Sequence, residues 1–133
     1  MNQLELALKE AFSTGGDAKA ANKAYLEFIK ANFIIPIEKN SSTGIPAEGE
    51  PKVLYLKEDE RYFLPVFTEM HYFRHWAFDI QDNIAMLKLS GVDLLKGIGE
   101  KVYACLNIGS EIYKEFNPSE LARMRSIILK IFK

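Results

Sequence analysis

Two histidines, His71 and His75, are the side chains whose type and spacing first suggest chemistry. They lie four residues apart on a segment with helical periodicity, so both imidazoles project from one face. That spacing suits two ligands of one metal ion. Acidic residues that could complete such a site lie nearby: Glu69, Asp79 and Asp82. The H-E-x-x-H motif is missing, and Arg74 would place a positive charge beside a bound cation. We therefore predict two exposed helical histidines and no metal site, with a metal-dependent module as an alternative.

The motifs of nucleophilic catalysis and phosphate binding are absent from the sequence. There is no G-x-S-x-G, and the glycine-rich stretch at 91–101 fits neither the P-loop nor the dinucleotide-binding pattern. Its glycines, Gly97 and Gly99, are typical of residues that end a helix. The single cysteine, Cys105, lies in an apolar, strand-like run without an adjacent histidine or lysine to activate its thiol. We predict no catalytic residue, no cofactor and no enzymatic activity.

Three polar residues could still converge on one site. Thr68 follows one predicted strand, and Asn107 and Ser110 follow another. Folds of helices and strands often place ligands where strands end. A polar pocket near Thr68, Asn107 and Ser110 therefore supports an alternative function, that of a small-ligand-binding protein or an enzyme. The stretch from Asn107 to Ser110 is equally typical of a plain turn.

A strand passes directly into an aromatic helix in the middle of the chain. The strand formers of this segment are Tyr62, Phe63, Leu64, Val66 and Phe67. Thr68 is suited to cap a helix over 69–78. Phe67 at the end of the strand and Trp76 on the inner face of the helix are expected to be mostly buried.

The outer face of that helix carries Tyr72, His75 and Phe78. Tyrosine and histidine are amphipathic enough to lie either in water or in an interface. We predict that Tyr72, His75 and Phe78 bind a partner. The alternative is that another part of the same chain covers them.

Composition excludes several classes of function. The net charge is −1, from 17 basic and 18 acidic residues, and no two basic residues are adjacent. Such a chain has no strong field for nucleic acid, so no nucleic-acid partner is expected. No apolar run approaches the about 18 residues that a membrane span requires. The first residues do not resemble a signal peptide, and one cysteine suits a reducing compartment, so a cytoplasmic location is predicted.

Periodicity and capping patterns divide the chain into alternating elements. At the start of the first helix, Asn2 and Glu5 have the spacing of a capping box. Helices are predicted at 2–13, from the cap Asp17 to about Lys30, and at 69–78. A short helix opens at Ser90-Gly91 and carries Val92, Leu95 and Ile98, and a last helix starts at Pro118 with an inner face that runs to Ile131. Strands are predicted at 33–37, 53–57, 61–67, 84–89, 102–106 and 112–116. The resulting fold class is α+β: a single domain over 1–133, with a mixed β-sheet of about five or six strands and flanking helices.

Three expectations concern how these elements connect. The strands at 53–57 and 61–67 should form an antiparallel hairpin. The connections across 61–89 and 84–106 are long enough for right-handed parallel crossovers. Residues 39–52 form a long polar loop, either mobile or used in recognition.

The order of four short motifs resembles the N-terminal domain of the SseB family, named for enhanced serine sensitivity. The motifs are the Asn2–Glu5 start of the first helix, Ile35-Pro36 at a strand, the Leu64–Thr68 junction, and the Asn107–Ser110 turn. Two positions depart from the family pattern: Glu69 replaces a common serine, and Ile108 replaces a proline. The likeness covers nearly the whole chain, without the C-terminal domain that many members carry. It implies an α+β fold and no established enzymatic activity.

The leading interpretation is a small, non-enzymatic, cytoplasmic domain of a bacterial protein that binds another protein. A role in stress- or secretion-related physiology is one form of this interpretation. The sequence is compatible with an oligomer, and it identifies neither the partner nor a ligand.

Overall fold

A computed structural model describes residues 2–38, 53–80 and 82–131 of the chain. The predicted loop at 39–52 lies outside these residues. Five helices and six strands occur in the described part. The helices are α1 (Gln3–Ser13), α2 (Ala18–Lys30), α3 (Met70–Trp76), α4 (Gly91–Gly97) and α5 (Pro118–Ile131). The strands are β1 (Asn32–Glu38), β2 (Leu56–Glu58), β3 (Arg61–Val66), β4 (Ile84–Ser90), β5 (Val102–Leu106) and β6 (Lys114–Phe116).

The strands form two sheets, which confirms the mixed α+β class while dividing the single sheet that the sequence suggested. One sheet has four strands in the order β2-β3-β5-β6, and the other pairs β1 with β4. The β2–β3 hairpin is antiparallel, as predicted, and β3 and β5 are parallel. The two sheets touch where Ile34 of β1 bridges Phe67, the residue after β3.

The prediction of parallel crossovers between successive strands was wrong. β4 pairs with β1 and with neither β3 nor β5 among the described strands. The parallel pair is β3–β5, and the connection between these strands contains α3, β4 and α4. A long connection permits a crossover, but the pattern of apolar residues does not say which strands become neighbours.

Two clusters of apolar side chains fill the interior. The larger one joins α1, α2, α4 and α5 to one face of the four-stranded sheet, including Leu64, Leu106 and Phe116. The smaller one lies beneath α3 and includes Phe67 and Phe73. Phe67 is fully buried, as predicted.

Trp76 is mostly buried as well, as predicted, with part of its surface exposed. Its ring packs against that of Phe67, with centroids 5.4 Å apart. Trp76 therefore covers the edge of the smaller cluster and does not lie inside it.

Gly91, the first residue of α4, allows a close approach between α4 and the end of α2. A methyl group on Gly91 would lie 2.1 Å from the carbonyl oxygen of Phe28 and 2.8 Å from that of Ile29. The Gly91 amide also donates to the carbonyl oxygen of Ala31 at 2.8 Å. Any side chain here would push α4 away from the end of α2. Glycine is therefore required because the two backbones are so close, and not because of an unusual backbone conformation.

We expect Gly91→Ala to reduce the free energy of unfolding by about 3 kcal/mol, the upper part of the range for overpacking a rigid site. Gly97→Ala, at the other end of the same helix, is the matched control because a methyl group there meets nothing within 4 Å. It should change stability by less than about 1 kcal/mol. Urea unfolding of both variants measures the difference, and equal losses would contradict the assigned contact.

Candidate functional site

Two of the three predicted pocket residues meet where the parallel strands β3 and β5 end. The Asn107 side-chain oxygen accepts the backbone N–H of Thr68 at 3.0 Å, and its amide nitrogen donates to the Thr68 hydroxyl at 3.0 Å. The Asn107 backbone N–H donates to Val66 at 2.8 Å. Asn107 is fully buried and adopts φ 53°, a conformation that asparagine tolerates better than most residues.

A buried carboxylate extends this pair to the first helix. The Thr68 hydroxyl donates to Glu5 Oε1 at 2.8 Å, while Glu5 Oε2 accepts the backbone N–H of Asn2 at 2.9 Å. Glu5 is 1% exposed, and both of its oxygens have a donor. We call Glu5, Thr68 and Asn107 the polar network. It joins α1 to the ends of β3 and β5.

The prediction that Thr68 caps the following helix was wrong. Glu69 is the N-cap of α3, and no side-chain hydrogen bond is made there. The Thr68 hydroxyl is directed to the Glu5 carboxylate instead, because a hydrogen bond to a charged acceptor is stronger than one to a neutral group.

An open groove of about 460 Å³ lies between α3 and the turn that follows β5. Its walls come from α1, α3 and that turn: Lys9, His71, Tyr72, His75, Ile108, Gly109, Ser110, Glu111 and Ile112. We call these residues the α3 groove. It combines two predicted sites, because Tyr72 and His75 line it together with Ser110. The Ser110 hydroxyl accepts the backbone N–H of Ile112 at 3.1 Å, which fixes the turn.

The predicted outer face of α3 is only partly a free surface. Tyr72 is half-buried and packs against the smaller core cluster, whereas His75 is exposed. Phe78 is 73% exposed and does not line the groove. Tyr72 and His75 thus lie together in the groove, and Phe78 lies apart from it.

Electrostatics distinguish the rim of the groove from its wall. Lys9 contributes a positive charge, Glu111 contributes a negative one, and His71 and His75 contribute imidazole N–H donors. Burial raises the pKa of the Tyr72 phenol, and the negative charges of nearby carboxylates, Glu5 first, raise it further. Tyr72 therefore stays neutral at physiological pH and offers a ring surface and a hydroxyl, while the charge of the groove lies at its rim.

Neither the histidines nor the cysteine form a reactive center in the described residues. Within that part of the chain, no three histidine, cysteine, aspartate or glutamate side chains are grouped so as to hold a metal ion. Cys105 is buried, and burial raises the pKa of its thiol to about 11. The thiol is therefore protonated at neutral pH and behaves as a small apolar side chain.

Sequence reasoning missed several residues of this site. Glu5 was recognised as a capping residue, and that role is confirmed by a complete capping box with Asn2. Its second oxygen, which binds Thr68, had no local signature. No sequence pattern singled out Lys9 or Glu111, and only folding brings the two residues to one groove.

We expect Thr68→Val to lower the free energy of unfolding by about 2–3 kcal/mol, because it leaves the buried Glu5 Oε1 without the Thr68 donor. Thr68→Ser keeps the hydroxyl and loses one methyl group, so it should cost only about 1 kcal/mol. Chemical denaturation measures both variants. Equal losses would mean that the hydroxyl contributes nothing and that only packing matters at this position.

Stoichiometric Zn²⁺ should leave the melting temperature unchanged, because two helical imidazoles without further ligands bind zinc weakly. Thermal unfolding with and without the metal tests this expectation. A one-to-one stabilisation that His75→Ala abolishes would instead restore the metal-dependent alternative.

Comparison with known proteins agrees with the four motifs of the sequence. A family model described as the SseB protein N-terminal domain matches residues 4–123. Neither the curated proteins nor the solved structures contain a match to the chain. The match includes all three residues of the polar network and every residue that lines the α3 groove. Because it covers most of the chain, the protein belongs to the SseB family through its N-terminal domain.

Proposed function

We propose that this domain is not an enzyme and that it binds a short acidic segment of another protein in the α3 groove. The observation that carries the proposal is that the polar groups beneath the groove are already paired with one another. Thr68 and Asn107 satisfy each other, and Glu5 holds Thr68. The groove is left with ring surface and basic groups, which suit recognition better than catalysis.

The charges of the rim determine the chemistry of the proposed partner. The ammonium of Lys9, with the imidazole N–H groups of His71 and His75 on the same groove as further donors, favors a carboxylate between Lys9 and the imidazoles. The half-buried ring of Tyr72 and the side chain of Ile108 offer apolar surface beside that position. An acidic segment with an apolar residue next to its carboxylate fits both features. A cytoplasmic, bacterial setting and a stress- or secretion-related role belong to the same proposal.

A second candidate is the binding of a small anionic ligand in the same groove. Its volume of about 460 Å³ lies within the range of small-molecule sites, and Ser110 offers a hydroxyl at the wall. The open shape and the exposed basic rim favor a peptide. A thermal-shift screen of anionic metabolites tests the alternative.

The proposal is tested with a synthetic peptide that alternates glutamate and leucine, titrated into the ¹⁵N-labelled protein. We expect amide shifts at Lys9, along α3 and in the turn at 108–112. Lys9→Glu should weaken binding by about tenfold, because it converts an attraction into a repulsion. His75→Ala should weaken it as well.

Matched variants separate the groove from general charge and from the rest of α3. Lys19→Glu makes the same charge change at an exposed position of α2 and should leave binding unaltered. Phe78→Ala removes an exposed ring that does not line the groove and should also leave binding unaltered. The proposal fails if no shifts are seen, if they occur elsewhere, or if Lys19→Glu weakens binding as much as Lys9→Glu.

A further inference from the structure

Strand β4 is the outermost strand of its sheet. All seven of its residues pair with β1, from Ile84 opposite Glu38 to Ser90 opposite Asn32. No other strand of the described part of the chain lies beside it. The chain re-enters the described region at Val53, which bridges Ile37 of β1. An edge strand of this length carries a row of backbone donors and acceptors that can pair with another strand.

The bonds of β1 reveal which backbone groups of β4 point outward. Ile34 donates to and accepts from Phe67, and the Pro36 oxygen accepts the Leu54 N–H at 3.1 Å. Ile34 and Pro36 therefore direct their backbone groups away from β4. Because bonded and non-bonded pairs alternate in an antiparallel ladder, their partners on β4 also face away from β1.

Those partners are Lys88, opposite Ile34, and Met86, opposite Pro36. The backbone N–H and C=O of both residues are directed to the free edge, and Ile84 follows in the same phase. Within the described residues no backbone hydrogen bond engages these outward groups of Met86 and Lys88. As far as the described residues extend, the edge is therefore open at its middle.

We propose that β4 pairs with the β4 strand of a second copy of this chain, antiparallel and around a two-fold axis at Leu87. This register overlaps all seven residues and brings the outward groups of the two strands into phase. Each Met86 forms a bonded pair with Lys88 of the other copy, and the two Leu87 residues lie opposite each other on the axis. The result is a continuous sheet in the order β1-β4-β4-β1.

The side chains of β4 match this occupant. Lys88 is the only charged residue of the strand, and the two-fold register places it opposite Met86 and not opposite the second Lys88. Met86 is 41% exposed, and the apolar stem of a lysine can cover it. Leu87 is partly exposed, and Leu87 of the second copy gives it an apolar partner. A register shifted by two residues would place the two Lys88 side chains opposite each other, and their like charges would repel.

Charge variants at Met86 test the register by sedimentation velocity from micromolar to millimolar concentration. The unmodified protein should pass from monomer to dimer across this range. Met86→Lys sets like charges opposite each other twice in each dimer and should weaken association by about tenfold. Met86→Glu should strengthen it. Leu129→Lys, at an apolar residue of α5 that is 71% exposed, is the control and should have no effect.

Hydrogen exchange provides a readout that is independent of substitution. The amides of Leu87 and Leu89 are bonded to β1 and should be protected at every concentration. The amides of Met86 and Lys88 face the free edge and should gain protection only at high concentration. An alternating pattern of this kind is specific to pairing along the edge.

Three outcomes would overturn the proposal. The first is a protein that stays monomeric at millimolar concentration. The second is a dimer whose affinity is equal in Met86→Lys and Met86→Glu, which would place the contact on another surface. The third is a concentration dependence of exchange outside β4, with Met86 and Lys88 unchanged.

Discussion

The buried carboxylate of Glu5 is the constraint around which the site is arranged. A carboxyl group with 1% exposure is costly to bury unless its oxygens have hydrogen-bond partners. The Asn2 backbone supplies one, and the Thr68 hydroxyl supplies the other. The requirement fixes α1 against the end of β3, and Asn107 extends it to the end of β5. The α3 groove opens between the elements that this network holds.

The same residues show how far local patterns predict a fold. The capping box of Asn2 and Glu5 was recognisable because both of its bonds lie within one turn of helix. Thr68 carried an equally good local signal for a cap, and the signal was misleading. A charged acceptor 63 residues away in sequence competes successfully with the start of a short helix. Local capping preferences, at about 1 kcal/mol, are weak enough to be overridden in this way.

The positions of the strands in the sequence were easier to predict than the pairing between them. Five of the six were located to within a residue or two at most of their ends, because apolar runs and breakers are local signals. Pairing depends on contacts between distant segments. Pro36 illustrates the difference: a proline within a strand is typical of a sheet edge or of an early end of the strand, whereas β1 is paired on one side and bridged on the other. The missing N–H is tolerated because this position of the ladder faces away from β4.

Only part of the α3 groove could be predicted from the sequence, because helical periodicity is a local signal and the other residues of the groove come together by tertiary contacts. The four-residue spacing of His71 and His75 placed both on one helical face, and the groove contains both. Phe78 was assigned to the same surface by extending the helical period. The helix ends at Trp76, and Ala77 is its C-cap, so the period no longer applies at Phe78. Periodicity orients side chains only as far as the helix continues, and the charges of Lys9 and Glu111 reach the groove through tertiary contacts that no period describes.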